Sequence, residues 1–97
     1  MIDISQEQRI TIQKILEKFI PNTPVWAFGS RVHGTAKSYS DLDLVIVGSE
    51  RIPVKIYYQL QDAFEESTLP YRVDLLDWHR ISTAFQKVIK QEYVLFS

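Results

Sequence analysis

Asp41 and Asp43 stand two residues apart where an apolar, β-branched run begins, Leu42-Asp43-Leu44-Val45-Ile46-Val47. The two-residue period of a strand turns both carboxylates to the same face. Aspartate is depleted in strands, and adjacent like charges repel unless a cation neutralises them. Hard oxygen ligands of this kind suit Mg²⁺, which keeps several waters and is usually held by one or two carboxylates together with substrate phosphates. Asp-x-Asp alone is also compatible with a charged strand entrance facing solvent.

Two further features bear on that choice. Gly29-Ser30 directly follows the short β-rich run Val25-Trp26-Ala27-Phe28. A glycine there lets the backbone approach a ligand, and the N–H groups that follow can point at phosphate oxygens. If Ser30 starts a helical turn, its dipole adds to this; a plain strand-to-loop turn is the alternative. The pattern G-x-x-x-x-G-K-[ST] is absent, which excludes a P-loop. Asp74 interrupts the apolar stretch Tyr71-Arg72-Val73-Asp74-Leu75-Leu76, where a buried unpaired carboxylate would be costly. Either it pairs with an arginine such as Arg72, or it faces the same cleft as Asp41 and Asp43 and completes a metal cluster. Asp77, three residues on, points to the opposite strand face, so Asp74 is the preferred third carboxylate.

The elements that must position these residues follow from periodicity and punctuation. Ile12, Ile15, Leu16, Phe19 and Ile20 recur at helical spacing, which predicts a helix over Ser5 to Ile20 with Ser5 and Gln8 as a capping box. Pro21-Asn22-Thr23-Pro24 stops it. A first strand follows over Val25 to Phe28, then a polar loop over Arg31 to Ser40 with one helical turn leaving Ser30. A second strand covers Leu42 to Val47. Pro53 opens a helix at its first position that runs to about Glu66, with Val54, Tyr57, Leu60 and Phe64 on one face. Tyr71 to Leu76 reads as a third strand, and Ser82 to Phe96 as a last helix with Phe85, Val88, Ile89 and Phe96 inward. The expected fold class is α+β: a small mixed sheet of at least three strands with helices packed on one face.

Composition narrows the function classes. The 97 residues are 45% hydrophobic and 24% charged, an ordinary globular balance and enough for one domain over residues 1–97. Eleven basic and 12 acidic residues give a net charge of -1, so bulk attraction to nucleic acid or anionic membrane is not expected. Without cysteine, disulfides and thiolate metal sites are excluded. Asp3, Glu7 and Arg9 break up the N-terminal stretch, no apolar run is long enough for a membrane span, and the expected location is cytoplasmic.

Taken in order, Gly29-Ser30-Arg31-Val32-His33-Gly34, Ser40-Asp41-Leu42-Asp43-Leu44 and Val73-Asp74-Leu75 resemble the minimal nucleotidyltransferases of the DNA polymerase β superfamily. The match runs from Trp26 to about Trp78. His33 departs from the commonest form, standing where arginine or lysine often precedes the second glycine. The resemblance implies a nucleotidyltransferase fold in which Gly29 and Ser30 grip a nucleoside triphosphate, with Arg31 and Ser40 as further phosphate-binding candidates. It also implies two Mg²⁺ ions at Asp41, Asp43 and Asp74, which would serve as both metal ligands and catalytic residues.

Longer superfamily members carry a helical domain that holds the acceptor, which is not expected within 97 residues. Minimal members pair with a separate all-helical protein of the HEPN type, often as antitoxin and toxin. The implied activity is therefore transfer of AMP from ATP to a tyrosine hydroxyl of that partner. Tyr57, Tyr58, Trp78 and Tyr93 exceed what one small core readily hides, and aromatics are enriched where proteins meet; homo-oligomers are also compatible. The rival expectation is a nucleotide-binding module that acts on its partner by contact, without turnover. His33 and His79 are expected to be solvated rather than ligands.

Overall fold

The computed structural model describes residues 2–96. Helix α1, Gln6–Phe19, begins with the expected capping box: the Ser5 hydroxyl accepts from the Gln8 amide at 3.1 Å and the Gln8 side chain accepts from the Ser5 amide at 3.0 Å. Glu7 in the first turn and Lys18 in the last oppose the partial charges of the helix ends. Strand β1 spans Val25–Phe28, the turn α2 Ser30–His33, strand β2 Leu42–Ile46, helix α3 Val54–Glu65 and strand β3 Val73–Asp77. A 3₁₀ turn at Trp78–Arg80, helix α4 at Thr83–Gln91 and strand β4 at Val94–Leu95 complete the order. No helix among the described residues is long and apolar enough to cross a membrane.

The sheet is mixed, in the order β3-β2-β1-β4. β2 runs parallel to β3, joined through α3, while β1 is antiparallel to both β2 and β4. Strand alternation divides its side chains between two faces. Val25, Ala27, Leu42, Leu44, Ile46 and Leu75 face Ile12 and Leu16 of α1 and Leu60 and Phe64 of α3, forming the main core. Burial of each such aliphatic side chain contributes roughly 1.5–3 kcal/mol before entropy is counted. Asp77 lies on this face too. It is 3% exposed and satisfied by the amides of Ile52 and His79 and by Arg80 Nε, at 2.9, 3.0 and 3.2 Å.

The registers Trp26↔Val45↔Leu76 and Phe28↔Asp43↔Asp74 place those six residues together on the second face. The expected single layer of helices is made by α1 and α3, whereas α4 lies against this second face. Phe85 meets Phe28 edge to face at 6.0 Å, Gln86 Nε2 donates to the Trp78 carbonyl at 2.9 Å, and Trp78 packs on Trp26 at 5.2 Å. Val45 and Ile89 are buried yet lie outside the main core.

The C-terminal segment differs most from the periodicity. The helix stops at Gln91, because Glu92 adopts extended dihedrals and Tyr93-Val94-Leu95-Phe96, a β-favouring run, returns along β1 as a fourth strand. Phe85 and Val88 are accordingly 37% and 56% exposed rather than inward, while Ile89 and Phe96 are buried. Val54 is also exposed, because Pro53 is the N-cap of α3 rather than its first residue and Val54 starts the helix beyond the core.

Candidate active site

The site is built where three chain segments end side by side on the second face of the sheet. β1 stops at Phe28 because Gly29 takes φ 80° and ψ -159°, a conformation that only glycine adopts readily. The chain then makes the turn α2, which is closed by Gly34 at φ 84° in the left-handed region. The amides of Val32 and His33 both bond to the Gly29 carbonyl, and those of Gly34 and Thr35 to the Ser30 carbonyl. The expected helical turn after Ser30 is thus present. Amides at the very start of such a turn have no partner within it.

Asp43 lies across the sheet from Phe28 on one side and Asp74 on the other. Its carboxylate occupies the space above Gly29. A Cβ on Gly29 would overlap Oδ2 of Asp43 and fall 2.9 Å from Cγ, so the glycine is required both by its dihedrals and by this neighbour. Burial pushes the Asp43 carboxyl from an ordinary 3.8 up to about 6, helped by the charges of Asp74 and Asp41 and by a hydrogen bond shared with Asp74. Asp43 and Asp74 are register partners on neighbouring strands, and Asp41 is near enough for its charge to act on Asp43. Asp41 itself is exposed at the mouth of β2. Asp74 shares a sheet face with Asp43, and the described residues include no ion pair between Arg72 and Asp74.

This donor set suits a hard divalent cation, since it is all carboxylate oxygen and its crowding is unfavourable without a positive charge. Among the described residues, no three Asp, Glu or His side chains already converge as a metal-holding group. The structure thus makes the pair Asp43 and Asp74, with Asp41 beside it, rather than a closed trio.

Arg31 requires a correction. It was a candidate for phosphate, but it is 5% exposed and turned inward, with its guanidinium bonded to the carbonyls of Asp3, Lys37, Ser38 and Ser40. The flat cation also lies 3.9 Å from the centroid of the Tyr71 ring. Its donors are engaged within the protein, so it does not reach into the cleft. The Ser40 hydroxyl accepts from the Lys37 amide at 2.9 Å, closing the loop while leaving its own O–H free to donate. His33 is exposed, as expected, and its Nδ1 meets the equally exposed Glu92 carboxylate at the end of α4. His79 sits with Nε2 2.6 Å from the Gly48 carbonyl.

Tyr57 lies on α3, on the core side of the sheet near the β3 edge. Its hydroxyl donates to the Leu75 carbonyl at 2.7 Å and accepts from Gln61 Nε2 at 3.1 Å. Burial raises its pKa above the ordinary tyrosine value, and the nearby Asp74 charge raises it further. On the sequence, Tyr57 was simply one member of a helix face. A cleft of about 240 Å³ lined by Gln61, Glu65, Tyr71, Arg72 and Asp74 opens alongside, at the free edge of β3.

Paired carboxylates beside a glycine turn, on a mixed sheet with a parallel β2-α3-β3 unit, are the arrangement that the resemblance to nucleotidyltransferases implies. Residues 11–97 match the family described as polymerase beta, nucleotidyltransferase, and the chain belongs to that family. It is 47% identical over 94 residues to the probable protein adenylyltransferase MntA of Haemophilus influenzae, an alignment that spans 97% of this chain and 82% of the relative. Among solved structures, a toxin-antitoxin with AMP-PNP superposes with a TM-score of 0.76 at 24% identity, covering 92% of this chain and 72% of the other. A tri-AMPylated Shewanella oneidensis HEPN toxin in complex with an MNT antitoxin gives 0.71 at 22%, covering 97% and 72%. At those identities the two structures speak to the fold alone.

Proposed function

We propose that this chain is a Mg²⁺-dependent nucleotidyltransferase that moves AMP from ATP to a tyrosine hydroxyl on a separate all-helical HEPN-type protein, as the antitoxin of a toxin-antitoxin pair. The observation that carries this reading is the placement of Asp43 and Asp74 side by side on one sheet face, with Asp43 standing over Gly29. Its support beyond the site is the 47% identity to a probable protein adenylyltransferase. The same fold also recurs in a complex of an MNT antitoxin with a tri-AMPylated HEPN toxin.

In this mechanism the amides that follow Gly29 and the Ser30 hydroxyl hold the β- and γ-phosphates and offset their charge. Mg²⁺ bound by Asp41, Asp43 and Asp74, two ions by family resemblance, would supply electrophilic assistance at the α-phosphorus and neutralise the crowded carboxylates. Asp74, beside the open cleft at the β3 edge, orients the acceptor and takes the proton of its hydroxyl. The acceptor oxygen forms a bond to the α-phosphorus on the side opposite the bond to pyrophosphate, which breaks with its electrons going to the departing pyrophosphate oxygen. The products are an adenylylated tyrosine and pyrophosphate. With no carboxylate trio already converged among the described residues, a second reading is available: a module that binds nucleotide and partner and acts by contact alone.

Incubation with labelled ATP, Mg²⁺ and the product of the neighbouring gene separates the two. A mass increase of one AMP per modified tyrosine on the helical protein supports transfer. A stable complex that remains unmodified favours the contact module, and absence of both complex and transfer removes the partner assignment.

A further inference from the structure

Arg31 is the most heavily engaged polar side chain of the protein's interior, and its partners lie in one place. Nε and Nη2 both bond to the Ser40 carbonyl, at 3.0 and 2.8 Å. Nη2 also approaches the carbonyls of Lys37 and Ser38 at 3.3 and 3.2 Å, while Nη1 reaches the Asp3 carbonyl at 2.9 Å. The Asp3 amide returns a bond to the Arg31 carbonyl at 2.8 Å. Every side-chain acceptor is a main-chain carbonyl, and the described residues include no carboxylate paired with Arg31.

The carbonyl held twice belongs to the peptide bond from which Asp41 hangs. On its other side, the Leu42 amide is bonded to the Arg72 carbonyl at 2.9 Å. Asp41 is thereby held between two backbone anchors although its side chain is exposed. Arg31 is also the residue next to Ser30 in α2, so one four-residue turn carries both the phosphate-facing amides and the grip on Asp41. The Tyr71 ring backs the guanidinium, and the Tyr71 hydroxyl donates to Gln8 in the α1 capping box at 2.9 Å.

We infer that Arg31 is a positioning residue of the metal and nucleotide site: by gripping the Ser40-Asp41 peptide it aims the Asp41 carboxylate, and it couples that aim to the Gly29-Ser30 turn. A planar fork is needed for this, since an ammonium presents a point charge and three donors with no fixed fork. The inference rests on the nucleotidyltransferase reading with Asp41 as a metal ligand.

The test is Arg31→Lys in the full chain, with Mn²⁺ binding followed by electron paramagnetic resonance in the presence of a non-hydrolysable ATP analogue. Wild-type protein without saturable, nucleotide-dependent Mn²⁺ binding would defeat the underlying reading itself. With wild type binding, Arg31→Lys is expected to need about tenfold more Mn²⁺ for half-saturation, the scale on which residues that orient metal ligands act. Nucleotide affinity at saturating Mn²⁺ should return to near the wild-type value. An unchanged Mn²⁺ requirement in a destabilised but folded variant, or a nucleotide defect that saturating metal does not rescue, overturns the inference. If Arg31→Lys does not melt cooperatively, Tyr71→Leu provides the same readout by removing the ring behind the guanidinium. It is expected to shift the Mn²⁺ requirement in the same direction, and no shift there overturns the inference as well.

Discussion

The carboxylate of Asp43 lies over the α-carbon of Gly29 with no room for a methyl group between them. The two residues belong to neighbouring antiparallel strand ends, and their contact makes the Gly29-Ser30 turn and the acidic pair one object. Gly29→Ala therefore faces two costs: a positive-φ extended backbone that is essentially glycine-only, roughly 1–3 kcal/mol for a residue with a Cβ, and displacement of the Asp43 side chain. Urea melts should show destabilisation of at least that size. The Mg²⁺- and ATP-induced rise in melting temperature should largely vanish. Retention of a full ligand-induced rise would mean that the turn does not face the nucleotide.

The raised Asp43 carboxyl sets a pH dependence of unusual sign for an aspartate. Because its folded value of about 6 lies above the ordinary 3.8, the folded state binds this proton more tightly than the unfolded chain does. The Asp43 contribution to stability is then most favourable below about 3.8 and is lost as pH rises through about 6. Asp43→Asn removes that loss, so in metal-free buffer the variant should gain stability relative to wild type as pH goes from 4 to 7. Addition of Mg²⁺ and ATP should reverse the ranking, since only wild type keeps the ligand charge. Parallel melts with equal ligand-induced shifts would contradict the assignment of Asp43 as a ligand.

Much of this arrangement was legible in the sequence where local rules and tertiary packing agree. The α1 capping box, the stop at Pro21, and the strands at Val25 and Leu42 all follow from short-range chemistry. The separation of Asp74 from Asp77 follows from strand parity alone, and the structure places them on opposite faces. Arg31 was misread because a polar loop after a phosphate-type turn suggests an exposed cation. Nothing local says that the carbonyls of residues 37–40 will fold back to collect on it. The same limit applies at the C-terminus, where Phe85, Val88, Ile89 and Phe96 satisfy a helical period that the β1 edge overrides by pairing with Val94 and Leu95.

That override can be checked by paired substitutions. If one long helix ran to Phe96 with Val88 and Phe96 both inward, both would be sensitive to truncation. In the structure Phe96 is 5% exposed, with its amide bonded to the Val25 carbonyl at 2.8 Å, and Val88 is 56% exposed. Phe96→Ala should cost about 3 kcal/mol or more, as buried phenylalanines do. Val88→Ala should stay within about 0.5 kcal/mol, as exposed substitutions do. Comparable losses at the two positions would restore the single-helix description.

Asp74 and Asp77 offer the sharpest separation of chemistry from architecture, because two aspartates three residues apart on one strand have opposite surroundings. Asp77 is buried among three donors, and Asp77→Ala would leave the Ile52 amide and the Arg80 guanidinium without their acceptor. Its expected cost is about 2–4 kcal/mol. The protein that remains folded should still bind Mg²⁺ and ATP, since Asp77 is on the far side of the sheet. Among the described residues Asp74 has no such donors, and it shares its sheet face with Asp43, whose carboxyl its charge pushes up, so Asp74→Ala relieves repulsion and should leave stability unchanged or slightly higher without metal. On the proposed mechanism its effect belongs to turnover: loss of the group proposed to orient the acceptor and take its proton should lower transfer to the proposed partner by about 10²–10⁴-fold. Nucleotide binding should fall less than transfer does. Melts and single-turnover transfer measured on both variants decide the matter, and a stable but transfer-deficient Asp77→Ala beside a destabilised but transfer-competent Asp74→Ala would exchange the two roles.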